Sequence, residues 1–123
     1  MDYKIELIII PVTDVDRAKT FYADQCGFHV DHDQTVSEAL RFVQLTPPGS
    51  ACSIAFGRGI TEAAPGSLKA VQIVVDNAQQ AYDELTSRGV TCTPVEDMPW
   101  GRFVFFTDPD GNGWSIQQLP PRS

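Results

Sequence analysis

The stretch LRFVQLTPPG at residues 40–49, followed by Ser53-Ile54, decides the fold because a second version of it occurs later in the chain. The later version is GRFVFFTDPDG at residues 101–111, followed by Ser115-Ile116. Both contain Arg-Phe-Val and then a Thr, a Pro and a Gly in the same order. The two segments align with a single gap, because the second has one extra residue in its turn. The sequence is therefore an internal repeat of one supersecondary unit.

The repeat continues upstream of these two stretches. In each half, alternating β-branched residues precede an Asp and a helical pattern: Ile8, Ile10 and Val12 in the first half, and Val71, Ile73 and Val75 in the second. Each half is about sixty residues long, and the two halves fill the 123-residue chain. We expect one domain made of two modules, residues 1–59 and 68–123, joined by a linker over residues 60–67 that contains Gly, Ala and Pro.

Each module is predicted to contain one strand, one helix and three further strands. The apolar run from Lys4 to Val12 is predicted to be the first strand. The helices are predicted to begin at Asp14 and at Asp76 or Asn77, and Gly27 and Gly89 are suited to end them. The remaining strands are predicted at residues 28–33, 40–46 and 51–57, and at residues 90–95, 101–107 and 113–119. The predicted fold class is α+β, with two βαβββ modules in tandem.

The predicted helix covers only one face of each four-stranded sheet. The other two faces can curve toward each other and enclose a cleft, or they can pack together as a filled core. The periodicity by itself leaves both arrangements open.

Composition and charge narrow the classes of partner. The net charge is −7 and the pI is about 4.5, which disfavours binding to nucleic acid. The apolar run at residues 8–10 is far too short to span a membrane, so we expect a soluble cytosolic protein with no membrane partner. Cys26, Cys52 and Cys92 are widely spaced and are expected to be buried or half-buried free thiols.

Several short segments carry a resemblance to a known superfamily. They are Pro11-Val12-Thr13-Asp14 leading to Phe21-Tyr22 and Gly27-Phe28, and Pro99-Trp100-Gly101-Arg102 leading to Asp108-Pro109-Asp110-Gly111-Asn112. In this order and spacing the chain resembles the vicinal oxygen chelate superfamily, which includes glyoxalase I, extradiol dioxygenases and the fosfomycin- and bleomycin-resistance proteins. The resemblance implies curved mixed sheets that enclose a cleft. It also implies a homodimer, with each cleft built within one chain or across two chains.

Enzymes of that superfamily hold a divalent metal through His or Glu on the first and last strands of each module. The corresponding positions here are Leu7, Ala70, Ser53 and Ser115, none of which is a strong metal ligand. The sequence therefore predicts no metal and no cofactor. His29 and His32 are three residues apart, so they are predicted to point to opposite faces of an exposed polar strand.

Strand alternation from these positions predicts most of the lining of the cleft, to which the loop position adds Trp100 and the repeat adds Arg102. The candidate ligand-binding residues are Leu7, Ile9, Ser53, Ala70, Gln72, Trp100, Arg102, Ser115 and Gln117. Trp100 can stack on a ligand or cover the core, and the same choice applies to Phe103 and Phe105, whereas Trp114 is expected in the core. Arg102 and the repeat-related Arg41 can meet an acidic ligand or pair with surface carboxylates.

Three functions are compatible with this sequence. The leading hypothesis is a metal-free protein that binds a small, partly apolar organic molecule, as in sequestration of a drug or natural product. The alternative is an enzyme of the same superfamily, a lyase, isomerase or dioxygenase-like protein, with Glu96, Asp97 or Glu38 as a candidate base. The third is an interaction module whose inner face is filled. No catalytic residue is assigned.

Overall fold

A computed structural model describes residues 1–121 of the chain. Neither helix in this range is long and apolar enough to cross a bilayer. The first helix, Val15–Thr20, continues into one π-helical turn at Phe21–Gln25. In chain order the elements are β1 (Leu7–Ile9), α1 (Val15–Thr20), β2 (His29–Ser37), β3 (Leu40–Thr46), β4 (Ser53–Arg58), β5 (Val71–Val74), α2 (Ala78–Ser87), β6 (Glu96–Met98), β7 (Gly101–Thr107) and β8 (Gly113–Gln118).

The strands form two four-stranded sheets of identical topology. Sheet 1 has the order β1-β4-β3-β2, and sheet 2 has the order β5-β8-β7-β6. The first strand of each module runs parallel to the last strand, and the other neighbours are antiparallel. The predicted α+β fold with two tandem βαβββ modules is confirmed.

Both helices begin and end where the sequence places their caps. The Asp14 side chain accepts a hydrogen bond from the backbone amide three residues later, at 3.0 Å. In the second module Asn77, rather than Asp76, does the same at 2.9 Å. These oxygens satisfy amides that lack a partner in the first helical turn. Gly27 and Gly89 follow the helices with φ angles of 77° and 89°, which favour glycine.

Three strand predictions were wrong in their bounds. The strand predicted at residues 28–33 continues to Ser37. The predicted strand at residues 90–95 forms only one isolated bridge, between Cys92 and Phe106, and β6 begins at Glu96. Pro94 lies in that segment and has no backbone N–H to donate to a neighbouring strand. The first strand is confined to Leu7–Ile9, because only these residues are in register with β4.

The two modules share one hydrophobic core on the helix side of both sheets. The ring of Tyr22, which is fully buried, lies 5.7 Å from Phe56 of β4 and 5.6 Å from Trp114 of β8, measured between centroids. The end of helix α1 therefore contacts the helix-side face of sheet 1 and that of sheet 2 together. The two sheets do not close on each other within one chain, since their other faces lie on the outer sides of this core.

A buried polar network joins the modules at the turn between β7 and β8. Asp108 accepts hydrogen bonds from the Tyr22 hydroxyl at 2.7 Å and from the Asn112 amide at 2.8 Å. Asn112 also donates to the Pro11 carbonyl at 2.8 Å, and Trp114 donates to the Tyr22 hydroxyl at 2.9 Å. Burial and the nearby Asp108 carboxylate raise the pKa of Tyr22. This turn is a structural connection between the two modules.

Candidate ligand-binding faces

Each sheet has one face that lies opposite the shared core, and we call this its open face. On sheet 1, strand register places the open-face residues in two rows that cross all four strands. The central positions carry small or polar side chains, whereas β1 supplies aliphatic ones. The first row is Leu7, Ser53, Thr46 and His29, and the second is Ile9, Ala55, Gln44 and His32.

A chain of hydrogen bonds runs across the open face of sheet 1. The hydroxyl oxygens of Thr46 and Ser53 lie 2.7 Å apart. The same Thr46 hydroxyl donates to the Asp31 carboxylate, which also accepts from the Gln44 amide at 3.4 Å. Three strands thus contribute to one polar patch with a carboxylate at its edge.

The two histidines lie on the same face, so the prediction that they point to opposite faces was wrong. His29 is opposite Thr46 and His32 is opposite Gln44, and those two partners alternate on one side of β3. A β-bulge at Asp31 inserts one extra residue between the two pairs and restores the same orientation. The predicted exposure of both side chains is confirmed.

The open face of sheet 2 carries a second hydrogen-bonded chain, built from amides. The Ser115 hydroxyl donates to the Gln72 side-chain oxygen at 3.1 Å, and the Gln72 amide donates to Gln117 at 2.7 Å. The Gln117 amide in turn donates to the backbone carbonyl of Trp100 at 2.9 Å. This chain contains no ionised group, and it connects the middle of the sheet to the turn between β6 and β7.

Aromatic side chains flank the amide chain on sheet 2. Phe103 and Phe105 are opposite Gln117 and Ser115, and their rings stack with centroids 5.9 Å apart and planes 7° apart. Trp100 lies in the two-residue turn before β7 and is 60% exposed. Glu96, a candidate base in the sequence, is opposite Phe103 on the same face and is exposed. A planar apolar molecule can lie against these rings while the amides fix its orientation.

Seven of the nine predicted ligand-binding residues lie on or beside the open faces. They are Leu7, Ile9 and Ser53 on sheet 1, and Gln72, Trp100, Ser115 and Gln117 on sheet 2. Ala70 is one of the two exceptions, because it precedes β5 and is exposed. The residue that pairs with Ser115 is Gln72 instead. Trp114 lies in the core as expected.

The two repeat-related arginines lie on the helix side of their sheets rather than on the open faces. Arg102 donates to Asp97 at 2.8 Å, and Arg41 donates to Asp33 and Asp16 at 2.9 Å and 2.8 Å. Their contacts correspond to the second of the two roles considered, pairing with surface carboxylates. Arg102 is therefore not brought together with the other predicted ligand-binding residues.

Asp31, Gln44 and Thr46 are open-face residues that sequence reasoning missed. Alternation along β3 would have indicated Gln44 and Thr46 once that strand was placed beside β4. Asp31 required knowledge of the bulge, because unbroken alternation does not predict that both Asp31 and His32 oppose Gln44. The glutamate candidate at residue 38 lies exposed beyond the end of β2.

The residues at the predicted metal positions do not fit a divalent ion. The predicted set of Leu7, Ala70, Ser53 and Ser115 offers two alkyl groups and two hydroxyls. In the structure Gln72 takes the place of Ala70 opposite Ser115, which adds only a neutral amide. Within residues 1–121 no group of three or more His, Cys, Asp or Glu side chains is placed to hold a metal ion. Burial also raises the pKa of the Cys26 thiol to about 12, which disfavours a cysteine nucleophile.

A cavity of about 470 Å³ lies between α2, the free edge of β5 and the Pro47–Ser50 turn. Its walls are mostly apolar and include Phe28, Leu85 and Ile116. Of the nine predicted ligand-binding residues, Gln72 contributes to the wall of this cavity.

The tandem modules, their mixed sheets and the open faces match one family. The family model described as Glyoxalase/Bleomycin resistance protein/Dioxygenase superfamily covers residues 4–116. The chain belongs to this superfamily. Its membership agrees with the resemblance noted in the sequence, and it assigns the fold without assigning a ligand.

Two solved members of the superfamily are similar over nearly their whole length. TnmS3, an antibiotic binding protein from Streptomyces sp. CB03234, is 31% identical, with 97% of this chain and 98% of that chain covered and a TM-score of 0.87. A member from Sphaerobacter thermophilus DSM 20745 is 33% identical, with coverage of 94% and 97% and a TM-score of 0.82. The uncharacterized protein YetH of Bacillus subtilis (strain 168) is 20% identical over 117 residues, or 94% of this chain and 98% of YetH.

Proposed function

We propose that this protein binds a small, partly apolar organic molecule without a metal, in a cleft between the open face of sheet 1 and the open face of sheet 2. The observation that carries the proposal is the composition of these faces. Each combines apolar side chains with an ordered polar chain, and each is left uncovered by its own module. Concave sites for organic ligands have this mixture of apolar surface and a few placed polar groups.

The second copy of the chain is the proposed cover for each face. Ile9 is 40% exposed and Val74 is 63% exposed, although both lie in strands at the apolar edge of their sheets. Within one chain the open faces lie on opposite sides of the shared core, so one chain alone does not bring them together. A twofold dimer that places sheet 1 of one copy against sheet 2 of the other makes two equal clefts.

The similarity to TnmS3 supports a binding role rather than a catalytic one. That protein is described as antibiotic binding, and it is 31% identical over 97% of this chain. Sequestration needs shape, apolar surface and a few hydrogen bonds, all of which the open faces offer, whereas it needs no activated nucleophile. We therefore propose sequestration of a drug or natural product as the activity.

Thermal shift with a panel of polycyclic aromatic antibiotics tests binding, and light scattering tests the dimer. We expect a dimer, a rise in Tm of several degrees with some compounds, and no stoichiometric metal by elemental analysis. Ile9→Arg should abolish the Tm shift because it places a charge on the apolar wall. Val36→Arg, at the exposed end of β2, is the matched control. A tightly held metal, or a monomer that binds none of the panel, would contradict the proposal.

Mixing two variants tests whether each cleft spans two chains. Ile9→Arg damages sheet 1 and Val74→Arg damages sheet 2, so each homodimer has two damaged clefts. A mixed dimer with clefts built across chains has one intact cleft, and the mixture should recover binding. If each cleft lies within one chain, the mixture should recover none.

An enzyme of the same superfamily is the second candidate. Glu96 favours it, because this carboxylate lies on the open face of sheet 2 directly opposite Phe103. A base at that place would abstract a proton from a ligand held against the aromatic rings. Mass spectrometry of each bound compound after prolonged incubation tests this role. If the native protein converts a compound and the Glu96→Gln variant does not, the enzyme is favoured.

A further inference from the structure

Asp31 differs from the other groups on the open faces because it is a carboxylate held in place by its neighbours. The bulge in β2 releases Asp31 from strand pairing, and Thr46 and Gln44 of β3 hold one of its oxygens, Oδ2. Thr46 is itself linked to Ser53 of β4 at 2.7 Å. Two strands therefore fix the position of the acceptor before any ligand arrives.

The second carboxylate oxygen of Asp31, Oδ1, is left for another partner. Among the described residues, the basic side chain within 4 Å of it is His29, whose Nε2 lies 3.8 Å away on a side chain that is 79% exposed. That distance exceeds a hydrogen bond. A carboxylate accepts up to about four hydrogen bonds, so Asp31 retains capacity for a donor from a ligand.

Asp31 differs from the nearby Asp33 and from Asp97 in having no cationic side chain of residues 1–121 as its hydrogen-bond partner. Asp33, two residues later, points to the helix side and is paired with Arg41 and Lys19. Asp97 is paired with Arg102. Asp31 lies instead beside the row that contains Ser53 and Leu7, and covering this face removes water from the carboxylate. An unpaired buried charge is costly, so a ligand that brings the opposite charge is favoured.

We propose that Asp31, positioned by Thr46 and Ser53, selects organic cations, with an ammonium group of the ligand bound at Oδ1 and its apolar body against the opposing sheet. This inference rests on the proposed ligand-binding function and adds the chemical class of the ligand. The exposed Trp100 ring and the net charge of −7 act in the same direction, since both attract cations. Anionic ligands are disfavoured by the same carboxylate.

Three anthracene derivatives of nearly equal size are the probes for this selection. Anthracenylmethylammonium is cationic, anthracenylmethanol is neutral and anthracene carboxylate is anionic, and their fluorescence reports binding directly. We expect the native protein to bind the cation about tenfold more tightly than the alcohol, because the added charge strengthens the hydrogen bond to a carboxylate. The anion should bind most weakly.

Isosteric variants assign the selection to Asp31. Asp31→Asn should remove most of the preference for the cation while affinity for the alcohol changes by less than about twofold. Asp24→Asn, an exposed carboxylate on the π-helical turn, controls for net charge and should leave the preference intact. Thr46→Val should weaken the preference and Thr46→Ser should retain it, because the serine hydroxyl still positions Asp31.

The outcomes separate this inference from the proposed function. If the native protein binds all three probes equally well, the ligand-binding function stands and the selection of cations is overturned. If neither the three probes nor any compound of the antibiotic panel binds, the proposed function itself is overturned. Loss of the preference in Glu96→Gln but not in Asp31→Asn would assign the selection to sheet 2 and contradict the role of Asp31.

Discussion

The two modules have the same topology, but their open faces carry different side chains. Sheet 1 presents aliphatic residues on β1 and a hydroxyl chain that ends at the carboxylate of Asp31. Sheet 2 presents stacked phenylalanines and a chain of neutral amides that ends at a backbone carbonyl. On the helix side, by contrast, both modules contribute to one continuous core.

This difference shows how a repeated unit can keep its fold while its site changes. Helix-side residues such as Tyr22 contact both modules, so a change there affects the whole domain. Open-face residues have no such partner within the chain and can change with little loss of stability. The following predictions test that division, and all unfolding measurements are compared at one protein concentration because a dimer makes stability depend on concentration.

The largest effect is expected on the shared side, from Asp108→Ala. This change leaves the Tyr22 hydroxyl and the Asn112 amide without their buried acceptor, so we expect a loss of about 3 to 4 kcal/mol in the free energy of unfolding. Urea titration measures it. Asp24→Ala on the exposed side of the helix should cost less than about 0.5 kcal/mol. Equal losses in the two variants would show that the network does not connect the modules.

Gly66→Ala tests the contact between the linker and the turn before β8. Gly66 has a φ of 77°, and a β-carbon there would lie 2.2 Å from the Asp110 carbonyl oxygen. Gly49 has a φ of 79° with nothing within 4 Å, so Gly49→Ala measures the conformational cost alone. We expect about 1 kcal/mol for Gly49→Ala and about 2 to 3 kcal/mol for Gly66→Ala by urea titration. A similar cost for both would mean that the linker moves away without penalty.

The repeat-related arginines should differ although the sequence makes them equivalent. Arg41 contacts two carboxylates and its side chain is 11% exposed, whereas Arg102 contacts one and is 43% exposed. We expect Arg41→Gln to cost about 1 kcal/mol and Arg102→Gln less than about 0.3 kcal/mol, because solvent screens the exposed pair. Denaturant unfolding at low and high salt measures both. A larger cost for Arg102→Gln would reverse the comparison.

The smallest effect is a pH dependence that belongs to the first module. Hydrogen bonds from Arg41 and Lys19 lower the pKa of Asp33 below its ordinary value of 3.8. A lowered pKa stabilises the fold at pH above that ordinary value, and this contribution is lost as the pH falls through the folded-state pKa. Asp33→Asn should therefore cost less than about 1 kcal/mol near neutral pH, since the pair is partly exposed. The cost should shrink steadily as the pH falls below 3.8, as measured by thermal unfolding across the pH range. A cost that is independent of pH would exclude the ion pairs as its cause.

Much of the fold could be predicted from the sequence because it depends on local chemistry. Alternating β-branched residues, helix-capping side chains and the Asp-Pro-Asp-Gly turn act within a few residues, and their repetition gives the module. The failures have local causes as well. Pro94 interrupts a strand that hydropathy favours, and an inserted residue at Asp31 reverses the alternation that placed the histidines on opposite faces.

The candidate site was predictable only in part. Counting along the strands predicts which residues share the face of Ser53 or Ser115. In this way Leu7, Gln72 and Gln117 were identified correctly as open-face residues. This counting fails at Ala70, where the register between β5 and β8 decides which residue is opposite Ser115. Arg102 was predicted from the repeat, which does not show the face on which a residue lies. The register with β8 assigns Arg102 to the helix side.

The sequence by itself determined the modules, their helices and the kind of side chain at each strand position, since these follow from periodicity and from turn and capping chemistry. Only the tertiary structure decided which faces are shared and which are open. That choice depends on where Tyr22 and the Asp108 turn bring the two modules together, and these contacts join residues 86 and 92 positions apart. Long-range packing of this kind leaves no periodic signal along the chain, whereas it fixes the direction in which each sheet presents its functional side chains.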